Sequence, residues 1–159
     1  RFNPGKFQLV HFTKVAHKYQ ALPINFNGTV VEASETAKYL GLVMDQKLKW
    51  KEQVEKARRK VEATGLVVGR LARPTFSMLH SMVVRLYYAA VFPRMAYALE
   101  VWYRPVLDTE GSGSVGFAAL LGKVQRMMTR TITGGFKSTA TDTLEYHAHL
   151  APIHLKLNQ

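Results

Sequence analysis

The residues predict a mixed α+β chain, mostly helical, with a short antiparallel β element first and a helical bundle after it. Three observations predict this class. Asn27-Gly28 sits between β-favouring residues in INFNGTVV, 24–31, a strong hairpin signal. From Trp50 onward, apolar or small residues recur at steps of three and four, the period of one helix face. The chain is 159 residues long and 47% apolar, enough for a core in one domain or in one piece of a larger one.

The elements run in order. FQLVHFT, 7–13, is aromatic and apolar without a helix period and reads as a strand. INFNGTVV is the hairpin, and KYLGLVM, 38–44, reads as a further strand. Asp45 then stands as a helix N-cap. The first helix carries Trp50, Val54, Ala57, Val61, Thr64, Val68 and Leu71 on one face. Gly65 and Gly69 make it either two helices or one helix with close backbone packing. Arg73-Pro74 ends it, because the residue before proline disfavours helix. A second helix is expected over 75–92 with Leu79, Val83, Leu86 and Ala90 inward, and Pro93 starts or kinks a third.

Residues 108–116, DTEGSGSVG, read as a loop. The fourth helix places Phe117, Leu120, Leu121, Val124, Met127, Met128 and Thr131 along one side, and Gly134-Gly135 caps its end. Thr139 and Asp142 have capping-box spacing for a fifth helix, and Pro152 starts a last short one. Composition divides the chain into a β-hairpin region at 1–46, helices at 47–110, a loop at 111–116 and helices at 117–159.

The net charge is +11, from 22 Lys+Arg against 11 Asp+Glu. Such an excess points to a polyanion. It concentrates in 47–73, where nine basic side chains face three acidic ones. Lys51, Arg58 and Arg59 point away from the apolar face of the first helix. Lys123, Arg126 and Arg130 stand at steps of three and four on the fourth, a spacing that meets successive phosphates along a groove edge. An ordinary solvated helix face produces the same pattern. Tyr87, Tyr88 and Trp102 lie in the apolar run and are expected in the core.

No catalytic constellation is complete. Cysteine is absent, which removes disulfides, thiolate metal sites and a cysteine nucleophile. His147 and His149 lie two apart, which on a helix does not share a face, so no metal ligands are expected. No close carboxylate pair is visible for two-metal phosphoryl transfer, and there is no P-loop, nucleophile elbow or Gly-rich dinucleotide turn. The run 83–103 carries Arg85, Arg94, Glu100 and Pro93, unlike a membrane span. Residues 1–20 have no signal-peptide pattern. The start at Arg1 without an initiator Met, together with the turn-like RFNPGK, suggests a piece of a longer polypeptide.

Three segments, in order, carry a resemblance: FNPGKFQLVHFT, 2–13; KYLGLVMDQKLKWKEQVEKARRKV, 38–61, running on to RLYYAAVFPRMAYALEVWY, 85–103; and KVQRMMTRTITGGFKSTATDTLEYHAHLAPIHLKL, 123–157. Together they resemble the C-terminal part of reverse transcriptases of non-LTR (LINE-like) retrotransposons, especially fungal ones, over nearly the whole chain. The resemblance implies that the first segment ends the palm and that the helices form a thumb on a primer–template duplex. It also implies that the last segment links the thumb to a further domain, in many elements a ribonuclease H domain. Residues 70–103 would be the core of that thumb.

Asn3 and Lys6 match the family's Asn-x-x-Lys, whose lysine is the proposed general acid for the pyrophosphate leaving group. Phe7 and Gln8 replace the usual Thr-Glu, and Ala140 and Ala151 replace common prolines. The catalytic aspartates would lie upstream, so this fragment alone is expected to be inactive. No cofactor is expected in it, while Mg2+ is implied for the intact polymerase. The implied partners are an RNA template and a DNA primer as a hybrid duplex, with palm and fingers as covalent neighbours and no membrane. The implied location is intracellular, and nuclear for the parent element protein. Two alternatives stand beside this reading: an element-derived helical interaction module using the 83–103 surface, and a basic nucleic-acid-binding module without polymerase function.

Overall fold

The computed structural model describes residues 3, 6–13, 21–26, 28–72, 78–106 and 113–159. The fold is α+β: two small antiparallel hairpins, then helices. The chain divides into two compact units, Arg1–Glu55 and Lys56–Gln159, with the division inside the first long helix.

In the N-terminal unit, β1 (Ile24–Phe26) pairs with β2 (Thr29–Val31) in the register Ile24↔Val31 and Phe26↔Thr29. Gly28 takes φ +82° at the turn, and its N–H donates to Asn25 Oδ1 at 3.1 Å. The second hairpin corrects the single strand expected over 38–44. Here β3 (Thr36–Tyr39) folds back on β4 (Leu42–Asp45). The reversal sits at Leu40-Gly41, both at positive φ, as the right-handed twist of paired strands requires of a two-residue turn. Residues 7–13 form no strand either. They make one isolated parallel bridge, Leu9 to Ala33. The Gln8 side chain accepts the Lys38 N–H at 2.7 Å, so a side chain takes the place of a backbone ladder.

Asp45 prepares the next helix. Its carboxylate accepts the N–H of Lys49 at 2.9 Å and of Trp50 at 2.8 Å. Partial burial works against the charge, yet those backbone donors hold the carboxyl below the usual carboxylate range. Gln53 then accepts the Val43 N–H at 3.0 Å, tying the first helical turn to β4.

The helix α1 (Lys51–Leu71) is continuous. Val54, Ala57, Val61, Thr64 and Val68 are buried as the spacing predicts, while Leu71 is exposed. Gly65 serves close packing, since a Cβ there would stand 2.6 Å from Met127 and 3.0 Å from Met128, whereas one on Gly69 would meet Thr131 at an ordinary 3.8 Å. Residues 73–77, including Arg73-Pro74, lie outside the described residues.

The next helix starts later than expected. Residues 75–77 are outside the described residues, and α2 covers His80–Leu86. A π turn, Tyr87–Val91, comes next and leads into α3 (Phe92–Met95) with Pro93 in its first turn. Proline has no N–H and its ring crowds the carbonyl four residues back; that residue, Ala89, lies in the widened turn. The buried stripe is Val83, Tyr87, Val91 and Met95. Leu79 is exposed, and Leu86 and Ala90 are only half-buried. Tyr88, expected in the core, is partly exposed, whereas Tyr87 and Trp102 are buried. The short α4 (Leu99–Trp102) ends this run.

Residues 107–112, most of the expected loop, lie outside the described residues. The central helix of the C-terminal unit is α5 (Val115–Thr133), which packs against α2, α6 (Thr141–Ala148) and α7 (Ile153–Leu157). Leu121, Val124 and Met128 are buried, and Gly134 closes the helix at φ +69°. The helix α6 begins after Ala140 with no side-chain cap, so the Thr139–Asp142 capping box does not form. Pro152 immediately precedes α7. A buried polar chain joins three of these elements. Tyr87 donates to Gln125 Oε1 at 2.7 Å, and Gln125 Nε2 donates to Glu145 Oε1 at 2.7 Å and to the Ala151 carbonyl at 3.0 Å. Burial, then the neighbouring Tyr88 and Glu145, pushes the Tyr87 phenol far above its ordinary value, keeping it a hydrogen-bond donor.

Candidate nucleic-acid interface

The seven residues singled out by sequence are divided between the two units. Lys6 and Lys51 belong to the N-terminal unit. Lys6 is exposed in a short turn, its N–H donating to the Asn3 carbonyl at 3.1 Å. Lys51 is exposed at the first position of α1.

The other five belong to the C-terminal unit. Arg58 donates to Glu62 one turn on, at 2.8 Å, which neutralises part of its field. Arg59 is exposed on α1 and Lys123 on α5. Arg126 turns back onto its own corner. One guanidinium nitrogen donates to the Thr141 hydroxyl, and the other donates to the carbonyls of Lys137 at 3.0 Å and Thr139 at 2.7 Å. Arg130 is half-buried, with an Nε that meets no acceptor among the described residues. The α5 row is therefore a helix face partly covered by the α5–α6 corner, with Lys123 its exposed member.

The α1 surface is more open. Arg59, Lys60 and Arg70 are all exposed; Arg59 and Arg70 lie opposite buried Val61 and Val68, and Lys60 stands about 100° round from Arg59. Lys60 and Arg70 were missed as candidates; continuing the three-and-four spacing past Arg59 finds Arg70 but not Lys60, the next residue in the chain. Acidic Glu52 precedes them on the same arc, and Glu55 and Glu62 stand four residues before and three after Arg59, so the positive stretch is interspersed with acidic side chains.

Elsewhere, a cleft of about 740 Å3 is lined by Phe92, Leu99, Glu100, Tyr103, Lys156 and Asn158. The Lys156 ammonium stands 5.7 Å from the centroids of both the Tyr88 and Phe92 rings and donates to Gln159 at 3.0 Å, so this cation is engaged within the chain. Asn158 clasps Tyr103 and Val106 through both ends of its amide.

Among the described residues, no group of three or more His, Asp or Glu could hold a metal ion, and no helix is long and apolar enough to cross a membrane. Compared with known proteins, the chain is matched by no family model, no curated protein and no solved structure.

Proposed function

We propose that this chain is the end of the palm and the thumb of a reverse transcriptase of the non-LTR retrotransposon kind, gripping a primer–template duplex through phosphate contacts. The observation that carries the grip is the α1 arc, where Arg59, Lys60 and Arg70 are exposed on one side of a helix whose other side is buried. The ordered resemblance of 2–13, 38–103 and 123–157 supplies the polymerase context. In this reading the nucleotidyl transfer belongs to carboxylates outside this chain. The Mg2+ of the intact enzyme would be held there, since the described residues offer no cluster to hold it. The reading puts the parent protein with intracellular, and for integration nuclear, nucleic acid.

Each phosphate met by a cation releases condensed counterions, so affinity falls with salt by roughly 0.9 log units per log unit for each contact on B-form DNA. Replacing Arg59, Lys60 and Arg70 by Ala is expected to flatten the slope for a hybrid duplex by about two to three units and to weaken all sequences alike. Titrating parent and variant at several salt concentrations tests it; equal slopes would remove α1 from the interface.

The second reading, a helical protein-interaction module, is favoured by Tyr97 and Val101, which are exposed along the 83–103 run. In that case the parent chain shows no salt-dependent duplex binding at all.

A further inference from the structure

The C-terminal unit holds a second hollow, away from the α1 arc. A cleft of about 430 Å3 lies between the end of α5, the outer face of α6 and the start of α2. His80, Thr133, Thr139, Thr143 and His147 line it, over Leu144. This volume falls within the ~300–1,000 Å3 of small-molecule sites.

The lining carries hydroxyls and imidazoles that can donate hydrogen bonds. Thr133 is spent, donating to the Thr129 carbonyl at 2.8 Å and accepting the Gly135 N–H at 3.2 Å. The hydroxyls of Thr139 and Thr143 and the imidazoles of His80 and His147 have no hydrogen-bond partner among the described residues. No carboxylate is among the lining residues. Glu145 is buried and faces Gln125, and Asp142 is exposed outside the lining. Four groups that can donate and have no hydrogen-bond partner among the described residues therefore line a wall on which no described acidic side chain stands, in a chain of net charge +11. Such a site takes an anion.

Two aromatics mark the rim. Phe136 comes directly after the lining residue Gly135 and is 82% exposed; Tyr146 is 78% exposed. The Tyr146 ring meets the His147 ring edge-on at 5.5 Å. Aromatic rings left this open beside an anion-accepting hollow suit bases, because every base has a face to stack. Gly135 holds the corner tight: a Cβ there would come within 2.5 Å of Leu144.

We propose that the α5–α6 corner binds single-stranded nucleic acid, with a backbone phosphate in the His80–Thr143–His147 cleft and bases stacked on Phe136 and Tyr146. The proposal rests on the chain being a nucleic-acid binder, but not on the α1 arc or on duplex recognition. It gives the protein a place for an unpaired stretch of strand distinct from the duplex grip.

The test uses the whole chain and three labelled probes: oligothymidylate, an abasic strand of equal length, and a hybrid duplex. Phe136→Ala with Tyr146→Ala is expected to weaken oligothymidylate about tenfold or more, since stacking on an aromatic is worth at least that per base, and to leave the abasic strand unchanged. Thr143→Ala with His147→Ala is expected to weaken both single strands. These four positions are exposed, so circular dichroism should show each variant folded. If folded variants bind both single strands as the parent does, or the parent binds neither, the proposal is overturned. A parent that binds oligothymidylate but not duplex, with the variants behaving as stated, would sink the duplex grip and leave this site standing.

Discussion

The two units are held by different means. Among the described residues, the N-terminal unit buries only Leu42 and Val54 as apolar side chains, while the C-terminal unit buries nineteen. The N-terminal unit relies on side chains that bond backbone groups: Asn25 to Gly28, Gln8 to Lys38, Asp45 to Lys49 and Trp50, and Gln53 to Val43. A net hydrogen bond stabilises by only ~0.5–1.5 kcal/mol, whereas burying a large apolar side chain contributes ~1.5–3 kcal/mol. The C-terminal unit is thus the stable scaffold, and the surfaces proposed for nucleic acid are mounted on it.

The largest break in this contrast is Leu121→Ala. Leu121 is fully buried at the centre of α5, and the substitution should cost about 2–5 kcal/mol through lost burial and an unfilled cavity. Val30→Ala, at a position 60% exposed in β2, should stay within about 0.5 kcal/mol. Urea titrations of both variants measure the difference, and similar midpoints would dissolve the contrast.

Arg126→Ala should come next, at about 1–3 kcal/mol, because its removal leaves two carbonyls and a hydroxyl without their charged donor at the α5–α6 corner. Lys123→Ala on the same helix face should change stability by less than about 0.5 kcal/mol. Two residues of one sequence row would then separate into an internal clamp and a surface charge. Equal effects would return Arg126 to the solvated face.

The spacing that placed Lys123, Arg126 and Arg130 outward was sound for the helix itself. What it cannot carry is the chain reversal at Gly134, which brings Lys137, Thr139 and Thr141 back over Arg126. The same division runs through the fold. The Asn27-Gly28 hairpin and the Gly134 cap were legible because a glycine at positive φ is a local demand. The second hairpin was not, because Leu40 takes the first turn position at φ 47°, where a γ-branched apolar residue gives no turn signal. Residues 7–13 have strand-like composition, but composition does not say whether a partner edge is near.

The smallest of the expected losses is Asp45→Ala, above the near-neutral Val30 and Lys123 controls, at about 1 kcal/mol, the usual size of a lost backbone-capping side chain. Its pH dependence fixes the cause. The carboxyl titrates lower in the folded unit than in the unfolded chain, so its stabilisation is present above the unfolded value of about 3.9 and is lost as pH falls through the lower, folded value. Parent and variant should therefore converge in acid. A gap that persists there would mean that geometry, and not the carboxylate charge, supports the turn.

The π turn has a consequence for the phase of the chain. Val83, Tyr87, Val91 and Met95 recur every four residues. In a regular helix of 3.6 residues per turn, that interval precesses by about 40° at each step and winds the stripe around the rod. Five residues of looser winding, Tyr87–Val91, slow the precession and keep the stripe aimed at one wall. Rewinding that stretch at ordinary pitch with no residue removed would leave everything beyond it out of phase, with Met95 turned from the Tyr87 direction by roughly 80°. Pitch here is a spacer, and its length is as much a part of the sequence's information as the side chains it aligns.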